Sequence, residues 1–227
     1  MKYGIMGAMP DEVDQLCARL SGVEVQQYAG VEYHQGRLGD KEVVVCCAGM
    51  GKANAAATTQ VLCGKFGAQA IIFSGIAGNM SEEIGIGDVV VGKEVCYHDA
   101  EVSMICQSAP FLKSYTGDPA LVQAALDACA ALGVKAIAGR IATGDTFVGD
   151  RATKAVIAEK VHPDCVEMEG AAVSQIAARN GVPCVVLRAM SDNADESGHE
   201  LLVVKKFSIA EYVTTATAIV ARMLESL

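Results

Sequence analysis

The stretch CVEMEGAA at residues 165–172 places two glutamates where a short apolar segment gives way to small residues. The stretch RAMSD at residues 188–192 repeats the arrangement, with an aspartate closing an apolar segment. In open α/β sheets small ligands bind at strand ends, and a carboxyl group partly withdrawn from water there can have a raised pKa. The two stretches therefore predict an α/β sheet with a carboxylate-lined ligand site that includes Glu169 and Asp192.

Strand and helix signals alternate along the rest of the chain. Residues 3–9 predict a buried strand, and Pro10 occupies the first helical position that proline favours. Asp11 and Glu12 then lie in the first turn, where acids commonly complement the helix dipole, so these residues alone favour a structural role for Glu12. Further strands are predicted at 31–38, 43–48, 70–73, 87–99, 136–142 and 183–188, and helices at 53–66, 118–133, from 150, 169–180 and 205–226.

Two glycine segments offer close backbone approach to a ligand. Residues 74–79, SGIAGN, follow a predicted strand, and their glycines allow a flat ligand near the backbone, although such segments also form plain turns. Gly51 and Lys52 are similar to the end of a phosphate loop but lack its first glycine and its hydroxyl residue. A triphosphate cradle is therefore not predicted, and ligand approach and a simple turn both remain open.

Three other features of the sequence give less specific indications of function. His98 and Asp99 are adjacent, and neighbours on a strand point to opposite faces, so we expect a structural or interface histidine. Residues 101–117 have little periodicity and predict a mobile loop over the substrate. Phe147 either stacks on a heterocycle or belongs to the core.

The amino-acid composition limits the classes of partner that the protein is expected to bind. The chain has 227 residues, 52% of them apolar, which suffices for a sizeable core, and no linker or repeat divides it, so we expect one domain over residues 1–227. A net charge of -9 repels nucleic acid and anionic membrane surfaces. With no signal segment and no spanning run we expect a cytoplasmic protein. The nine cysteines form no Cys-x-x-Cys pair, which predicts free thiols and no metal site.

Five ordered blocks together resemble the 5'-methylthioadenosine/S-adenosylhomocysteine nucleosidases. They are GIMGAMPDE at 4–12, SGIAG at 74–78, YHDA at 97–100, VEME at 166–169 and SD at 191–192. The resemblance implies the nucleoside phosphorylase fold, a twisted mixed sheet flanked by helices, usually in a homodimer. It also implies hydrolysis of an adenosine-type N-glycosidic bond, with water and an adenosine thioether as substrates and with no metal or organic cofactor.

When the family's site residues are transferred position by position, the resemblance implies that Asp192 is the proton donor and that Glu12 activates water. It also implies that Glu169 contacts the ribose hydroxyls. These roles suit the reaction, because breaking the bond places positive charge on the sugar and negative charge on the base. The other substrate contacts that it implies are Met9, Ala77, Gly78, Phe147, Val148, Met168 and Ser191, with the Val148 backbone bonding the base.

One departure concerns Ile76, because many relatives carry a serine there whose hydroxyl could orient the carboxyl of Asp192. The segment at residues 101–117 is also shorter than in enterobacterial members. Both differences leave the preferred 5'-substituent open.

Three alternatives accompany the hydrolase. A purine nucleoside phosphorylase would need a phosphate site, which Asp11 and Glu12 disfavour, although Arg140, Arg151 and Arg188 remain candidate anion ligands. A nucleosidase for another purine nucleoside, of the futalosine type, would use the same acids. A silent binding module would not need all three carboxylates.

Overall fold

The structure, a computed structural model, describes residues 1–199 and 210–227. The strands are β1 Lys2–Gly7, β2 Ser21–Tyr28, β3 Val31–Leu38, β4 Lys41–Cys47, β5 Ala70–Asn79, β6 Val89–Tyr97, β7 Tyr115–Thr116, β8 Ala136–Thr143, β9 Cys165–Glu167 and β10 Cys184–Asp192. The helices are α1 Pro10–Cys17, α2 Lys52–Gly64, α3 Val102–Ile105, α4 Pro119–Ala131, α5 Arg151–Val161, α6 Gly170–Arg179, α7 Glu196–His199 and α8 Ala210–Ser226.

Local chemistry sets several helix starts where the sequence predicts them. Pro10 is the first residue of α1, where its missing N–H costs no helical hydrogen bond. The Asp118 carboxylate accepts hydrogen bonds from the Ala120 and Leu121 N–H groups at the start of α4. Asp150 caps α5 in the same way through the Thr153 N–H at 2.8 Å.

The strands form one mixed sheet, as the α/β prediction requires. Its parallel centre runs β4, β1, β5 and β10, and β3 and β2 extend it antiparallel beyond β4. The sheet then closes on itself, because β10 pairs with β6, β6 with β8, β8 with β9, and β9 with β5. As a result Gly78 on β5 lies opposite both Asp192 on β10 and Val166 on β9.

Apolar residues cover both faces of the sheet. One cluster joins alternate strand residues, such as Met6 and Val44, to α2 and α6. The other joins the intervening residues, such as Ile5 and Val45, to α1, α4 and α8. Among the helices of the described residues, none combines the length and apolar character that a bilayer crossing needs.

Three features differ from the predictions, and one prediction lies outside the described residues. The strand predicted at 70–73 continues to Asn79, because β9 and β10 both pair with its glycine-rich end. The hairpin strand β2 was not predicted, because all eight of its residues are exposed and show no buried alternation. Residues 101–117 contain α3 and β7 rather than loop alone. The predicted helix start near residue 205 lies outside the described residues, and α8 is described from Ala210.

Candidate active site

One cavity of about 390 Å³ opens at the carboxyl ends of β1, β5, β9 and β10. It is lined by Ala8, Met9, Asp11, Glu12, Met50, Ile76, Ala77, Gly78, Phe147, Val166, Glu167, Met168, Glu169, Arg188, Ser191 and Asp192. A small recess shares several of these walls and adds Thr146 and Val148. The cavity therefore collects the carboxylates that the sequence places in distant segments.

Glu12 is buried in the first turn of α1, and its carboxylate folds back toward the end of β1. Its Oε2 accepts hydrogen bonds from the Ala8 and Met9 N–H groups at 2.6 and 3.0 Å, and Oε1 accepts one from the Ile76 N–H at 3.1 Å. Burial raises the pKa of Glu12, while the charge of Arg188 and the three N–H groups oppose that rise. The side chain is thus held rigidly, with a proton affinity above that of an ordinary glutamate.

Arg188 is the centre of a buried ionic cluster. Its guanidinium contacts the Glu167 carboxylate through Nη2 and lies 3.5 Å from Glu169 Oε2. The same group sits 4.2 Å from the centroid of the Phe73 ring, a favourable cation–π distance. Because Arg188 is only 1% exposed, its charge acts on these neighbours with little screening by water.

Gly75 allows this cluster to form. A Cβ at this position would collide with Arg188 Nη1 and come within 2.5 Å of Glu12 Oε1. A side chain on β5 there would displace the guanidinium or the carboxylate.

Glu167 and Glu169 have different roles in the cluster. Glu167 accepts hydrogen bonds from the Thr143 hydroxyl and from the Gly170 N–H, the latter at 2.7 Å, so protein groups hold it in place where it lines the cavity. Glu169 accepts one from the Gly51 N–H at 2.7 Å and lines the cavity. Burial, with the nearby negative charge of Glu167, raises the pKa of Glu169 to about 7.

Asp192 ends β10 with its carboxylate held on both oxygens. The Ser191 hydroxyl donates to Oδ2 at 2.8 Å, and the Ala194 N–H donates to Oδ1 at 2.8 Å. Gly78 passes close beside it, since a Cβ there would lie 3.0 Å from Oδ1. The hydroxyl that Ile76 lacks is therefore matched by a hydroxyl from Ser191, which also lies 3.3 Å from the Ala77 carbonyl.

Glu12 and Asp192 both line the main cavity, together with Phe147. The small recess adjoins Asp192, Phe147, Val148 and Met168. Glu12 lies beside Arg188 and the Ile76 backbone. A ligand in the cavity would therefore be within reach of both carboxyl groups.

The structure brings all the predicted site residues to one place. Met9, Glu12, Ala77, Gly78, Phe147, Met168, Glu169, Ser191 and Asp192 line the main cavity, and Val148 lines the recess. Sequence reasoning left Arg188 as one of three candidate anion ligands and gave Glu167 and Met50 no role. Glu167 is the last residue of β9 and Glu169 directly precedes α6, so strand periodicity in the sequence does not link the two side chains.

The other candidate anion ligands lie away from the cavity. Arg140 pairs with Glu94 at 2.6 Å, and Arg151 pairs with Glu196 at 3.4 Å on the surface. Within residues 1–199 and 210–227, no cluster of three or more His, Cys, Asp or Glu has the arrangement of a metal site. The chemistry of the described cavity is therefore that of carboxylates around one guanidinium.

The chain is similar over most of its length to proteins of one superfamily. The model of the phosphorylase superfamily matches residues 2–225. The chain is 42% identical over 201 residues to a 5'-methylthioadenosine/S-adenosylhomocysteine nucleosidase of Shewanella sediminis, covering 86% of this chain and 87% of the relative.

Solved structures show the same likeness. A 5'-methylthioadenosine/S-adenosylhomocysteine nucleosidase from Colwellia psychrerythraea 34H in complex with adenine has a TM-score of 0.92 and 32% identity, covering 100% of this chain and 96% of that one. The futalosine hydrolase of Helicobacter pylori strain 26695 has a TM-score of 0.89 and 30% identity, with 100% and 98% coverage.

Proposed function

The chain belongs to the phosphorylase superfamily and, within it, to the 5'-methylthioadenosine/S-adenosylhomocysteine nucleosidases, and we propose the residues by which its cavity performs the reaction. It is a purine nucleosidase that hydrolyses the N-glycosidic bond of 5'-methylthioadenosine, S-adenosylhomocysteine or both, releasing adenine and the 5-thioribose product. The observation that carries the assignment of roles is that Glu12, Glu169 and Asp192 line one cavity together with Phe147 and Met168.

Asp192 is the general acid in this proposal. The main cavity, which Asp192 lines together with Phe147, has room for a flat aromatic purine, and a carboxylic acid beside the ring can protonate it as the bond breaks. Protonation neutralises the negative charge that develops on the base. The hydrogen bonds from Ser191 and Ala194 keep the carboxyl in one orientation.

Glu12 is the general base. Its two oxygens are anchored by three backbone N–H groups, so the carboxylate needs little reorganisation to take a proton from an attacking water. Arg188 lies near this carboxylate, and its positive charge opposes the rise in the pKa of Glu12 that burial causes, which helps to keep the base ionised.

Glu169 holds the ribose, and Met168 packs against it. The ribose hydroxyls donate to the Glu169 carboxylate, which favours its ionised form and offsets the effect of burial. A negative group at this place also stabilises the positive charge that develops on the sugar. The Gly51 N–H donates to Oε1 of Glu169, while Arg188 lies near Oε2, and this hydrogen bond fixes the orientation of the carboxylate.

Water fits this site better than phosphate as the nucleophile. The guanidinium of Arg188 lies between Glu167 and Glu169 and near Glu12, so its charge is already balanced by carboxylates. A phosphate dianion entering beside Glu12 would meet negative charge that this single arginine does not offset. Arg140 and Arg151 are engaged elsewhere.

The experiment that tests this function is chromatographic detection of products from 5'-methylthioadenosine and S-adenosylhomocysteine, with and without phosphate. We expect adenine and the free thioribose in both buffers. A sugar 1-phosphate that forms only with phosphate would contradict the role of Glu12. Futalosine belongs in the same panel because of the structural likeness to a futalosine hydrolase, and cleavage of futalosine alone would replace the proposed substrate.

We also propose that the chain forms one nucleosidase domain and acts as a homodimer in the cytoplasm. Met50 lines the cavity yet is 62% exposed, and Met104 and Phe111 are 63% and 68% exposed. Contact with a second copy would remove these exposed apolar side chains from water. Sedimentation velocity at micromolar concentration is expected to give a dimer, and a monomer that turns over substrate at full rate would refute the proposal.

A further inference from the structure

Lys52 has no part in the proposed reaction, although the sequence singles out Gly51-Lys52. It is the first residue of α2, and its Nζ donates to both oxygens of Asp99 at 2.8 and 2.7 Å. The same nitrogen lies 3.5 Å from Asp145 Oδ2. Lys52 therefore binds the two acids rather than remaining available for a phosphate group.

Backbone hydrogen bonds tie the same three residues together. The Lys52 N–H donates to Asp145 Oδ1 at 2.8 Å, and the Asp145 N–H donates to Asp99 Oδ2 at 2.9 Å. Burial opposes ionisation of Asp99, yet the bonds from Lys52 and Asp145 bring its pKa below the ordinary value. The Lys52 and Asp99 side chains are 24% and 25% exposed, so water has limited access to the pair.

The three residues come from segments that carry site residues. Lys52 follows Gly51, whose N–H holds Glu169, and Met50, which lines the cavity. Asp145 lies in the loop after β8, two residues before Phe147. Gly51 itself has a φ of 92°, and a Cβ there would lie 3.2 Å from Asp145 Oδ1, so the two segments are in close contact.

The turn after β6 completes the connection. Asp99 follows Tyr97 and His98, and the buried His98 ring lies so close to Gly144 that a Cβ there would collide with it. The His98 N–H donates to the Thr143 carbonyl at 3.0 Å, which extends the β6–β8 pairing to this turn. The Tyr97-His98-Asp99 segment thus contacts and supports the loop that contains Asp145.

We propose that Lys52, Asp99 and Asp145 form a positioning network that holds the Gly51 N–H against Glu169 and the Phe147 loop against the purine. The inference rests on the proposed nucleosidase function, and it gives Lys52 a role distinct from anion binding. None of the three side chains lines the cavity, so they act through Gly51 and Phe147. A partly exposed ion pair contributes little to global stability, so its loss should affect substrate binding more than unfolding.

The test compares Lys52→Met with Lys52→Arg and with a matched control, Arg140→Met. The control also loses an ion pair, Arg140 with Glu94, whose side chains are 39% and 35% exposed, but it does not touch the cavity. For Lys52→Met we expect KM for 5'-methylthioadenosine to rise about 10- to 100-fold with kcat changed less than about threefold, since Glu12 and Asp192 stay in place. Lys52→Arg should recover most of the affinity.

Amide hydrogen exchange provides a readout that does not depend on turnover. In Lys52→Met the amides of Gly51 and of residues 145–148 should exchange faster than in wild type, and in Arg140→Met they should not. Asp145→Asn, at a more exposed position, serves as a second variant if Lys52→Met folds poorly. The double variant with Asp99→Asn and Lys52→Met should have a KM no higher than that of the more impaired single variant.

Unchanged KM and unchanged Gly51 exchange in folded Lys52→Met would overturn the network, as would an equal rise in KM for Arg140→Met. If wild-type protein releases no adenine, the proposed function fails, and the exchange rates then decide the network by themselves.

Discussion

Replacing Asp192 with Asn is expected to lower kcat for adenine release by about 10²- to 10⁴-fold, the usual contribution of a general acid. An amide cannot deliver the proton that the departing purine needs. The fold should survive, because the Ala194 N–H can still bond the amide oxygen, and the Ser191 hydroxyl can rotate to accept from the amide nitrogen.

The matched control for this variant is Asp127→Asn on α4, whose carboxylate is exposed and accepts only from Gln123 among the described hydrogen bonds. Asp127→Asn should retain wild-type turnover. Thermal unfolding and adenine binding, measured for both variants, separate loss of chemistry from loss of structure. Folded Asp192→Asn that turns over at more than about a tenth of the wild-type rate would refute the assigned acid.

Replacing Glu12 with Gln is expected to reduce kcat by a similar factor, about 10²- to 10⁴-fold, because the attacking water loses its proton acceptor. KM should change little, since the ribose and purine contacts lie on Glu169, Met168 and Phe147. An unchanged product spectrum with and without phosphate would show that the residual reaction is still hydrolysis. Asp14→Asn, an exposed acid on the same helix, is the control and should be fully active.

The pH dependence of wild-type kcat/KM is expected to follow the ionisation of Glu12 and Glu169. Glu12 must be ionised to accept a proton, so activity is present above its pKa and is lost as pH falls through it. Burial raises that pKa, and burial beside Glu167 raises the pKa of Glu169 to about 7, so the acidic limb should approach neutrality. A profile that stays flat from pH 5 to about 8 would contradict both roles.

Much of the candidate site could be predicted because its residues stand next to strand ends that the sequence marks. Asp192 and Glu169 each follow an apolar segment, and Glu12 follows a proline at a helix start. The assignment of chemical roles came from family resemblance rather than from spacing, since a first-turn glutamate has an ordinary structural explanation. Arg188 and Glu167 were harder to assign, because a charged residue reveals its partner only when the chain brings the two together.

The sequence by itself determined much of the local structure: the central strands, the longer helices, and the helix starts at Pro10 and directly after Asp118 and Asp150. These features depend on neighbours within a few residues, whose preferences for caps, turns and strands act directly.

Only the tertiary structure decided how those parts meet. Closure of the sheet places Gly78 beside Asp192 and Val166, and burial around Arg188 sets the proton affinities of Glu12 and Glu169. The link from Lys52 to Asp99 and Asp145 likewise spans more than 40 residues at each step. Such contacts depend on pairing between distant segments and on the exclusion of water, and neither is encoded in the spacing of adjacent residues.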